Sequence, residues 1–497
     1  MKRQTVFLMV DTQRTDMLGC YGNADMQTPN LDQLSREGLT FDSAYTCQPV
    51  CGPARSAIFT GLFPHSNGVW TNSNALGDNV KTIGQRLRDK GIHTAYVGKW
   101  HLDGGDYFGL GKCPDGWDEE YWYDMRCYLE ELTPEERLKS RDPKTSKEDP
   151  ITEEFTYAHR CSDRAVDFLE KHKDEDFFLV VSYDEPHEPA LCPEPYASMY
   201  DDYRFPKSEN IWDDLEGKPV HQKVWAQQNP VEDLDGLDIT KRSLLACNSF
   251  VDYELGRVLD KIKALAPEAM VIYTSDHGDM MHAHQLFAKG PAPYEEITHI
   301  PLIIKHPEAE AGERYPYPAS HIDLVPTILD YMGLEQPPWV EGVSMMPAIR
   351  DKEYRVNDYI FFEFGRYEID HDGFGGLQPM RCVFDGRYKL CLNLLSGDEL
   401  YDLETDPAEM KNLIEEEDLA EVRNQLHDVL LNWMNRTRDP FRGYYWERRP
   451  WRTDARTATW PYTGATRQRE NEDYEPRQLD YMTGLEMKAA TREKYSK

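Results

Sequence analysis

Short runs rich in apolar residues alternate with amphipathic helical patterns from residue 5 to about residue 330. Uninterrupted apolar runs are typical of strands buried on both faces of a parallel sheet, whereas apolar residues spaced three or four apart indicate helices. The alternation predicts an α/β fold with a large, mainly parallel, doubly wound sheet flanked by helices. The predicted strands are 6–10, 93–97, 177–181, 270–273 and 300–304, and the predicted helices are 30–38, 80–90, 243–265 and 321–332.

The pattern changes after residue 355. Segments 359–364, 381–384 and 388–393 have strand character, with a hairpin turn signal at Asp385-Gly386, and 419–435 is a helical pattern. The chain has 497 residues, more than the ~250–300 at which one hydrophobic core stops growing, so a second unit is expected. We predict an α/β domain over 1–355, a smaller C-terminal α+β subdomain over 356–440, and an extended tail over 441–497 that packs on the surface.

Ionisable side chains stand where the predicted strands end. The carboxyl ends of parallel strands share one edge of a sheet, which is where ligands bind in such folds. If these side chains converge at that edge, the carboxylates and an imidazole would hold a divalent cation. The lysines and histidines would surround an anion, and together these groups would support displacement at phosphorus or sulfur. Taken alone, Lys99 and His101 would also fit an exposed lysine and a hydrogen-bonded polar histidine. The residues are Asp11, Lys99, His101, His187, Asp276 and His277, with Lys289 on a nearby loop.

Segment 46–62 (TCQPVCGPARSAIFTGL) places Cys51, Pro53 and Arg55 at a loop-to-helix junction. A helix N-terminus offers unpaired N–H groups, and Arg55 adds a permanent bidentate donor, so an anion or an activated oxygen would be stabilised there. The same features would lower the pKa of the Cys51 thiol. Taken alone, the pattern fits a half-buried free cysteine equally well.

Composition narrows the class of partner. A formal net charge of -33, from 89 acidic and 56 basic residues, disfavours a nucleic acid or an anionic membrane as partner.

The N-terminal apolar run is too short for a signal peptide or a membrane span. Ten cysteines are scattered without a metal-binding or disulfide spacing, which favours a reducing cytoplasm.

Together with segment 46–62, further motifs occur in an order that resembles the formylglycine-dependent (type I) sulfatases of the alkaline-phosphatase-like superfamily. The likeness spans about residues 1–435 and is nearest to poorly characterised bacterial sulfatases that lack a signal peptide. The motifs are VDTQRTDMLGCYG at 10–22, TPNLDQLSREG at 28–38, GKWHL at 98–102, PHEP at 186–189, TSDHGDMM at 274–281, AKG at 288–290 and ELYDLETDPAEMKNL at 399–413.

The resemblance implies that the first domain is catalytic and hydrolyses a sulfate ester. A formylglycine-generating or sulfatase-maturing enzyme would oxidise Cys51 to formylglycine (3-oxoalanine), whose hydrate is the nucleophile. One hydrate oxygen attacks sulfur, and the other then expels sulfate. By the same likeness, Asp11, residue 51, Asp276 and His277 ligate a divalent metal, most often Ca²⁺.

The resemblance also implies roles for the remaining residues. Arg55 would hold the hydrate, and Lys99 and Lys289 would bind the sulfate oxygens. His101 would orient the nucleophile or assist its breakdown. His187 would protonate the leaving alcohol as general acid.

Two departures from the family pattern concern the metal. Many relatives have a second acid or amide directly after the first aspartate, where this chain has Thr12 followed by Gln13, so either residue or a water molecule could complete the site. His277 stands where many relatives have Asn, which resembles the branch shared with phosphonate and phosphodiester hydrolases. An Asp/His site would also accept Mn²⁺.

Three functions therefore compete. The leading one is a sulfuric ester hydrolase that acts on a small organic sulfate, above all a sulfated carbohydrate. The second is a phosphonate monoester or phosphodiester hydrolase using the same site, and the third is a non-catalytic anion-binding protein with unmodified Cys51. For substrate binding the sequence offers Lys99, His187 and Lys289, and a Gly-rich loop with Arg366, Tyr367, His371 and Asp372, which suits a polar sugar but also fits an ordinary interdomain loop.

Overall fold

The computed structural model describes residues 2–104, 107–237, 242–368, 376–454 and 484–485. The large sheet contains β1 (Gln4–Val10), β2 (Leu39–Phe41), β4 (His93–Gly98), β5 (Phe177–Ser182), β6 (Met270–Ser275), β7 (Leu302–Lys305) and β8 (Arg314–Tyr315). A small sheet pairs β3 (Ala44–Tyr45) with β9 (Ala319–Ser320). A four-stranded sheet contains β10 (Ile360–Phe364), β11 (Met380–Phe384), β12 (Tyr388–Asn393) and β13 (Glu399–Asp402).

Helices surround these sheets. In the first 240 residues they are α1 (Pro29–Glu37), α2 (Cys51–Thr60), α3 (Pro64–Asn67), α4 (Ile83–Arg88), α5 (Met125–Glu131), α6 (Pro134–Lys139), α7 (Tyr157–His172) and α8 (Val220–Ala226). The later helices are α9 (Arg242–Leu265), α10 (Glu295–Thr298), α11 (Leu324–Tyr331), α12 (Met346–Arg350), α13 (Ala420–Arg436) and α14 (Tyr444–Glu447).

The strand order of the large sheet is β4-β5-β1-β6-β7-β2-β8. Strands β4, β5, β1 and β6 run parallel, whereas β7 is antiparallel to both of its neighbours. The predicted α/β fold with a mainly parallel sheet and a smaller α+β unit is confirmed. The reversed direction of β7 was not predicted, because an apolar strand carries no signal of its direction.

Side chains of the central strand β1 alternate between two hydrophobic cores. Val6, Leu8 and Val10 pack in one core with residues of α1, α7 and α9, and Phe7 and Met9 pack in a second core with residues of α2 and α11. Because both faces are apolar, the strand appears in the sequence as a continuous apolar run. The sheet is covered on both sides, as a doubly wound fold requires.

Helix α7 was not among the predicted elements. Its buried face consists largely of small residues, among them Ala158, Cys161 and Ala165, with charged residues between them. These small side chains allow α7 to pack against α9, and together with Phe168 and Leu169 they recur at helical spacing, so the sequence carries an amphipathic pattern that the prediction missed.

The second unit consists of the antiparallel sheet β10-β11-β12-β13 with α13 packed against it. Strand β13 was not predicted, because its terminal residues Glu399 and Asp402 are acidic although both are buried. Trp446 and Trp451 are buried in the same core as Trp433 of α13. The predicted tail lies outside the described residues from 455 onward, apart from 484–485, and the domain boundary at 355 stays a prediction.

Two findings concern the whole described chain. All ten cysteines are free thiols, in keeping with their scattered positions in the sequence. Among the described residues, no helix combines the length and the apolar character needed to cross a membrane.

A buried ion pair joins the two units. The backbone N–H of His65 in α3 donates to Glu363 Oε1 of β10 (2.8 Å), and His65 Nδ1 contacts the other carboxylate oxygen. Burial alone would lower the pKa of His65, but the Glu363 carboxylate outweighs it, so the pKa is raised. The pair therefore stabilises the fold fully below the unfolded-state pKa, ~6.5, and this contribution is lost as the pH rises through the higher folded-state pKa.

We expect His65→Gln to lower the free energy of unfolding more at about pH 6 than at about pH 9, because the charged pair exists only while His65 is protonated. Urea unfolding of wild type and variant at both pH values measures this difference. An equal loss of stability at the two pH values would show that the histidine acts through packing alone.

Candidate active site

Four neighbouring parallel strands end at one edge of the large sheet, and each is followed by an ionisable residue. Asp11 follows β1, Asp276 and His277 follow β6, Lys99 follows β4, and Asp184 lies two residues after β5. Their side chains are buried together, because the strands β4, β5, β1 and β6 are adjacent. The structure thus brings together residues that are far apart in the sequence.

Cys51 is the first residue of α2 and faces this group. Its Sγ lies 3.1 Å from His277 Nε2, and Lys289 Nζ donates a hydrogen bond to it (2.8 Å). The next backbone N–H, that of Gly52, donates to Asn72 Oδ1 (2.8 Å). Residue 51 therefore sits at a helix N-terminus, buried and next to two basic side chains.

The ligand atoms of Asp11, Cys51, Asp276 and His277 all lie within 4.8 Å of one another. His277 Nδ1 contacts the Gly278 carbonyl oxygen (2.8 Å), which leaves Nε2 facing the carboxylates. The Oδ1 atoms of the two aspartates are each 3.7 Å from Nε2. Two carboxylates and an imidazole form a donor set that fits a divalent cation such as Ca²⁺ or Mn²⁺.

Arg55 donates hydrogen bonds to both aspartates through their Oδ2 atoms. Its Nε donates to Asp276 Oδ2 (3.0 Å) and its Nη2 to Asp11 Oδ2 (3.2 Å). Its Nη1 donates to the Lys99 carbonyl oxygen (2.7 Å) and to Ser182 Oγ (2.8 Å). The guanidinium thereby orients both carboxylates, and the role implied for it toward the residue-51 hydrate stays a prediction.

Burial and charge shift the pKa values of this group. Burial and the Asp11 carboxylate raise the pKa of the Cys51 thiol, but nearby cations, Lys289 foremost, outweigh them and bring it to about 6. Burial and Asp11 also raise the pKa of Asp276. Acidic groups are therefore crowded in a buried site, an arrangement that a bound divalent cation would stabilise.

Lys99 connects the candidate metal-ligand group to a second set of residues. Its Nζ lies 2.8 Å from both Asp11 Oδ2 and Asp184 Oδ1. The Tyr107 hydroxyl donates to Asp184 Oδ1 (2.6 Å) and lies 3.0 Å from both Lys99 Nζ and His187 Nδ1. Neither Asp184 nor Tyr107 was predicted as a site residue. Asp184 follows a strand as Asp11 does, which is a usable signal, whereas Tyr107 lies in a loop without any motif.

Burial and a neighbouring cation disfavour the charged form of two histidines of the site. His101 is buried with a left-handed backbone (φ 58°), and its Nδ1 has no hydrogen-bond partner in the described part of the chain. Burial and Lys99 lower the pKa of His101 to about 3 and also lower the pKa of His187. An anion bound beside them would raise both pKa values.

The structure distinguishes the residues that follow Asp11. The Thr12 hydroxyl donates to Asp11 Oδ1 (2.7 Å). Gln13 Oε1 instead accepts a hydrogen bond from the Tyr273 hydroxyl (2.5 Å), and its Nε2 donates to Asn248 (2.5 Å). Thr12 thus contacts one of the candidate metal-ligand carboxylates, whereas the Gln13 amide is hydrogen-bonded to other partners.

Arg366 lies two residues after β10 and is half-buried. The carbonyl oxygen of the next residue, Tyr367, accepts hydrogen bonds from the Asn72 N–H (3.0 Å) and the Thr71 hydroxyl (2.8 Å). Asn72 Nδ2 donates to Glu368 Oε1 (3.1 Å). A loop of the second unit therefore contacts the residue that binds the start of α2. The other predicted loop residues lie outside the described part of the chain: His371 and Asp372.

Comparison with known proteins decides the family. The family model described as "Sulfatase" matches residues 3–334, and the one described as "N-sulphoglucosamine sulphohydrolase, C-terminal" matches residues 283–436. The chain belongs to the sulfatase family. This sulfatase is 49% identical to the uncharacterized sulfatase YidJ of Escherichia coli (strain K12), over 98% of this chain and 97% of YidJ. It is 25% identical to the N-acetylglucosamine-6-O-sulfatase of Bacteroides thetaiotaomicron, over 86% of this chain and 85% of the relative.

Solved structures share the fold of this sulfatase. One was determined in complex with its substrate D-glucosamine-2-N,6-O-disulfate and has a TM-score of 0.74 at 22% identity, covering 89% of this chain and 99% of its own. A phosphonate monoester hydrolase of Agrobacterium radiobacter has a TM-score of 0.73 at 23% identity, covering 88% of this chain and 96% of its own. These structures establish the fold, and the family matches confirm the predicted enzyme class, a sulfuric ester hydrolase.

Proposed function

We propose that this sulfatase removes sulfate from a small sulfated carbohydrate, with formylglycine made from Cys51 and a divalent metal beside it. The observation that supports this is the position of Cys51 Sγ, 2.8 Å from Lys289 Nζ and within the ligand set of Asp11, Asp276 and His277. A soft thiol is an unexpected ligand for a hard cation, whereas an oxygen at the same position suits the carboxylates around it.

Two groups complete this chemistry. The formylglycine hydrate would supply the oxygen nucleophile, and the metal, when bound, would neutralise charge on the sulfate oxygens. Asp11, Asp276 and His277 would hold the metal together with residue 51. We expect Ca²⁺, with Mn²⁺ as the alternative that the imidazole also allows. The proposal requires a formylglycine-generating or sulfatase-maturing enzyme as partner.

We propose that the two lysines of the site bind the sulfate. Lys289 Nζ contacts Cys51 Sγ, and Lys99 Nζ contacts Asp11 Oδ2, so both ammonium groups reach the ligand set. Each can donate hydrogen bonds to an oxygen of a sulfate held at residue 51. Because both side chains are buried, these charges are screened less than they would be in water.

We propose that His187 protonates the leaving alcohol. Its Nδ1 contacts the Glu188 carbonyl oxygen (2.9 Å) and the Tyr107 hydroxyl (3.0 Å), which leaves Nε2 for the leaving oxygen. The charge of a bound sulfate would raise the lowered pKa of His187 and so favour its protonated form. We propose that His101, whose pKa burial and Lys99 lower, orients the nucleophile or assists its breakdown.

We expect Tyr107→Phe to lower kcat about 10-fold to 100-fold, because His187 loses the hydroxyl that helps to orient it. The phenyl ring keeps the packing, and Lys99 keeps its carboxylate partners. Steady-state kinetics over a range of pH would show an altered pH profile of kcat. Tyr128→Phe is the matched control, since the Tyr128 hydroxyl contacts the Phe155 carbonyl oxygen away from the site. An unchanged kcat and pH profile for Tyr107→Phe would contradict the role of this hydroxyl.

Mass spectrometry of the tryptic peptide 37–55 tests the nucleophile directly. In protein isolated from its native host, we expect the mass of an aldehyde at residue 51 and an unmodified thiol at Cys47, assigned by fragmentation. An unmodified thiol at residue 51 in active protein would overturn the proposed mechanism.

The carbohydrate substrate is proposed from two observations. One relative is named as a sulfatase of N-acetylglucosamine 6-O-sulfate groups, and polar residues of the second unit, Arg366 and Glu368, lie on the loop that reaches Asn72. We also propose a cytoplasmic location, which the free cysteines favour and which suits an imported mono- or disaccharide. Release of sulfate from a panel of sulfated monosaccharides tests the substrate class; turnover of aromatic sulfates alone would contradict it.

A phosphonate monoester or phosphodiester hydrolase is the second candidate. The observation that favours it is His277 in the ligand set, together with the fold shared with a phosphonate monoester hydrolase. The values of kcat/KM for nitrophenyl sulfate and for a phenyl phosphonate ester, measured on the same preparation, separate the two functions. We expect the sulfate to be preferred, and a preference for the phosphonate would reverse the ranking.

A further inference from the structure

A second cluster of metal-binding residue types lies at the opposite edge of the large sheet, where β4 begins. His93 is the first residue of β4, His172 is the last residue of α7, and Glu175 lies in the turn between α7 and β5. One ligand atom from each residue lies within 4.8 Å of the other two. The cluster is remote from the active site, because the active-site residues follow the carboxyl ends of the strands.

The two imidazoles turn the same nitrogen toward one carboxylate. His93 Nδ1 lies 2.8 Å from Glu175 Oε2, and His172 Nδ1 lies 2.9 Å from Glu175 Oε1. The ring centroids are 4.3 Å apart with an interplanar angle of 82°. A cation between them would meet two nitrogens and a carboxylate, and water would complete a tetrahedral set.

The other nitrogen of each ring has a partner that would orient it. His93 Nε2 lies 2.7 Å from Asp118 Oδ2, and His172 Nε2 lies 3.2 Å from the Tyr121 hydroxyl. Such partners fix the ring and the tautomer of a metal-binding histidine. A neutral imidazole carries one N–H. If His93 donates it to Asp118, its Nδ1 faces Glu175 without a hydrogen, which is the gap that a cation would fill.

Another cluster of the same residue types lacks this gap. His159 and Glu254 also lie within ligand distance of one another, but Arg257 Nη1 donates to Glu254 Oε2 (2.7 Å) and lies 3.0 Å from His159 Nδ1. A guanidinium already supplies the positive charge there. In the described part of the chain, the ion-pair partners of Glu175 and Asp118 are histidines.

We propose that His93, His172 and Glu175 bind a first-row transition-metal cation, with Zn²⁺ as the representative, and that this metal ties the end of α7 to β4 and β5. Imidazole nitrogens favour Zn²⁺ over Ca²⁺. The histidine side chains are 21% and 19% exposed, so the cation can enter from solvent. A cation that binds the folded chain and not the unfolded one raises the Tm.

Zinc titration of the full chain tests the proposal. The protein is freed of any affinity tag and kept in excess Ca²⁺, so that the catalytic site is occupied, and ZnCl₂ binding is followed by calorimetry. We expect the wild-type chain to bind one more zinc equivalent than His172→Asn, and only the wild type to gain Tm from that equivalent. His159→Asn, on the same helix but in the cluster that Arg257 occupies, should match the wild type.

An anomalous difference map from zinc-soaked crystals of the wild type gives an independent answer that does not depend on a variant folding. We expect a peak between the Nδ1 atoms of His93 and His172. Equal zinc stoichiometry in wild type and His172→Asn, or anomalous peaks elsewhere and none at this position, would overturn the proposal and leave a cluster of ion pairs.

Discussion

Replacement of Cys51 by alanine is expected to reduce turnover of a sulfate ester by at least about 10³-fold, because removal of a nucleophile leaves only binding and electrostatic contributions. The methyl group fits the buried position without new contacts, so the Tm and the far-UV circular dichroism should stay close to those of the wild type. Steady-state assays with nitrophenyl sulfate and with a sulfated monosaccharide measure the effect.

Cys47→Ala is the matched control for this experiment. Cys47 lies on the same segment and is also buried, but it packs in the apolar core of the second unit. We expect Cys47→Ala to keep kcat within about 10-fold of the wild type. Retention of most activity by Cys51→Ala would defeat the proposed mechanism, because the nucleophile could then not come from residue 51.

The second large effect is expected for Asp276→Asn, which should lower kcat/KM by roughly 10²-fold or more. Asparagine keeps the shape of the side chain but removes the negative charge that faces both the metal position and Arg55. We therefore expect a lower metal content after dialysis, measured by atomic emission, and partial recovery of activity when Ca²⁺ is added in excess. Removal of the metal from the wild type by a chelator should mimic the variant.

Asp279→Asn provides the comparison within the same loop. Asp279 Oδ1 accepts a hydrogen bond from the backbone N–H of Met281 (2.8 Å), and its carboxylate is not a member of the ligand set. We expect its metal content to equal that of the wild type. If Asp276→Asn bound metal as tightly as the wild type while losing activity, the aspartate would act through Arg55 and not as a ligand.

The parts of the site that could be predicted from the sequence are those tied to strand ends. Asp11 and Asp276 each follow an apolar strand, so the position of each carboxylate at the sheet edge follows from the fold class alone. The loop residue Tyr107 could not be predicted in this way. Its hydroxyl reaches Asp184 and His187 from the long connection between β4 and β5, and no local pattern encodes that position.

The same distinction applies to the fold. Long apolar runs predicted the core strands, since burial on both faces leaves a direct mark on the sequence. Strand β13 was missed because its two end residues are acidic and their burial depends on partners elsewhere, whereas α7 carries an amphipathic pattern from which it could have been predicted. Glu399 of β13, for example, accepts hydrogen bonds from Gln222 (2.9 Å) and Asn393 (2.9 Å), which satisfy its carboxyl oxygens in the interior.

The guanidinium of Arg55 has a consequence for how the enzyme is assembled. It binds the Oδ2 atoms of both Asp11 and Asp276 while its third nitrogen is fixed by Lys99 and Ser182. The two carboxylates are thus prepositioned during folding, and the ordering of the ligands does not wait for the cation. Under the proposed function, demetallated protein should therefore keep its shape and regain activity rapidly on reconstitution, and metal supply would then control the rate of catalysis and not the amount of folded enzyme.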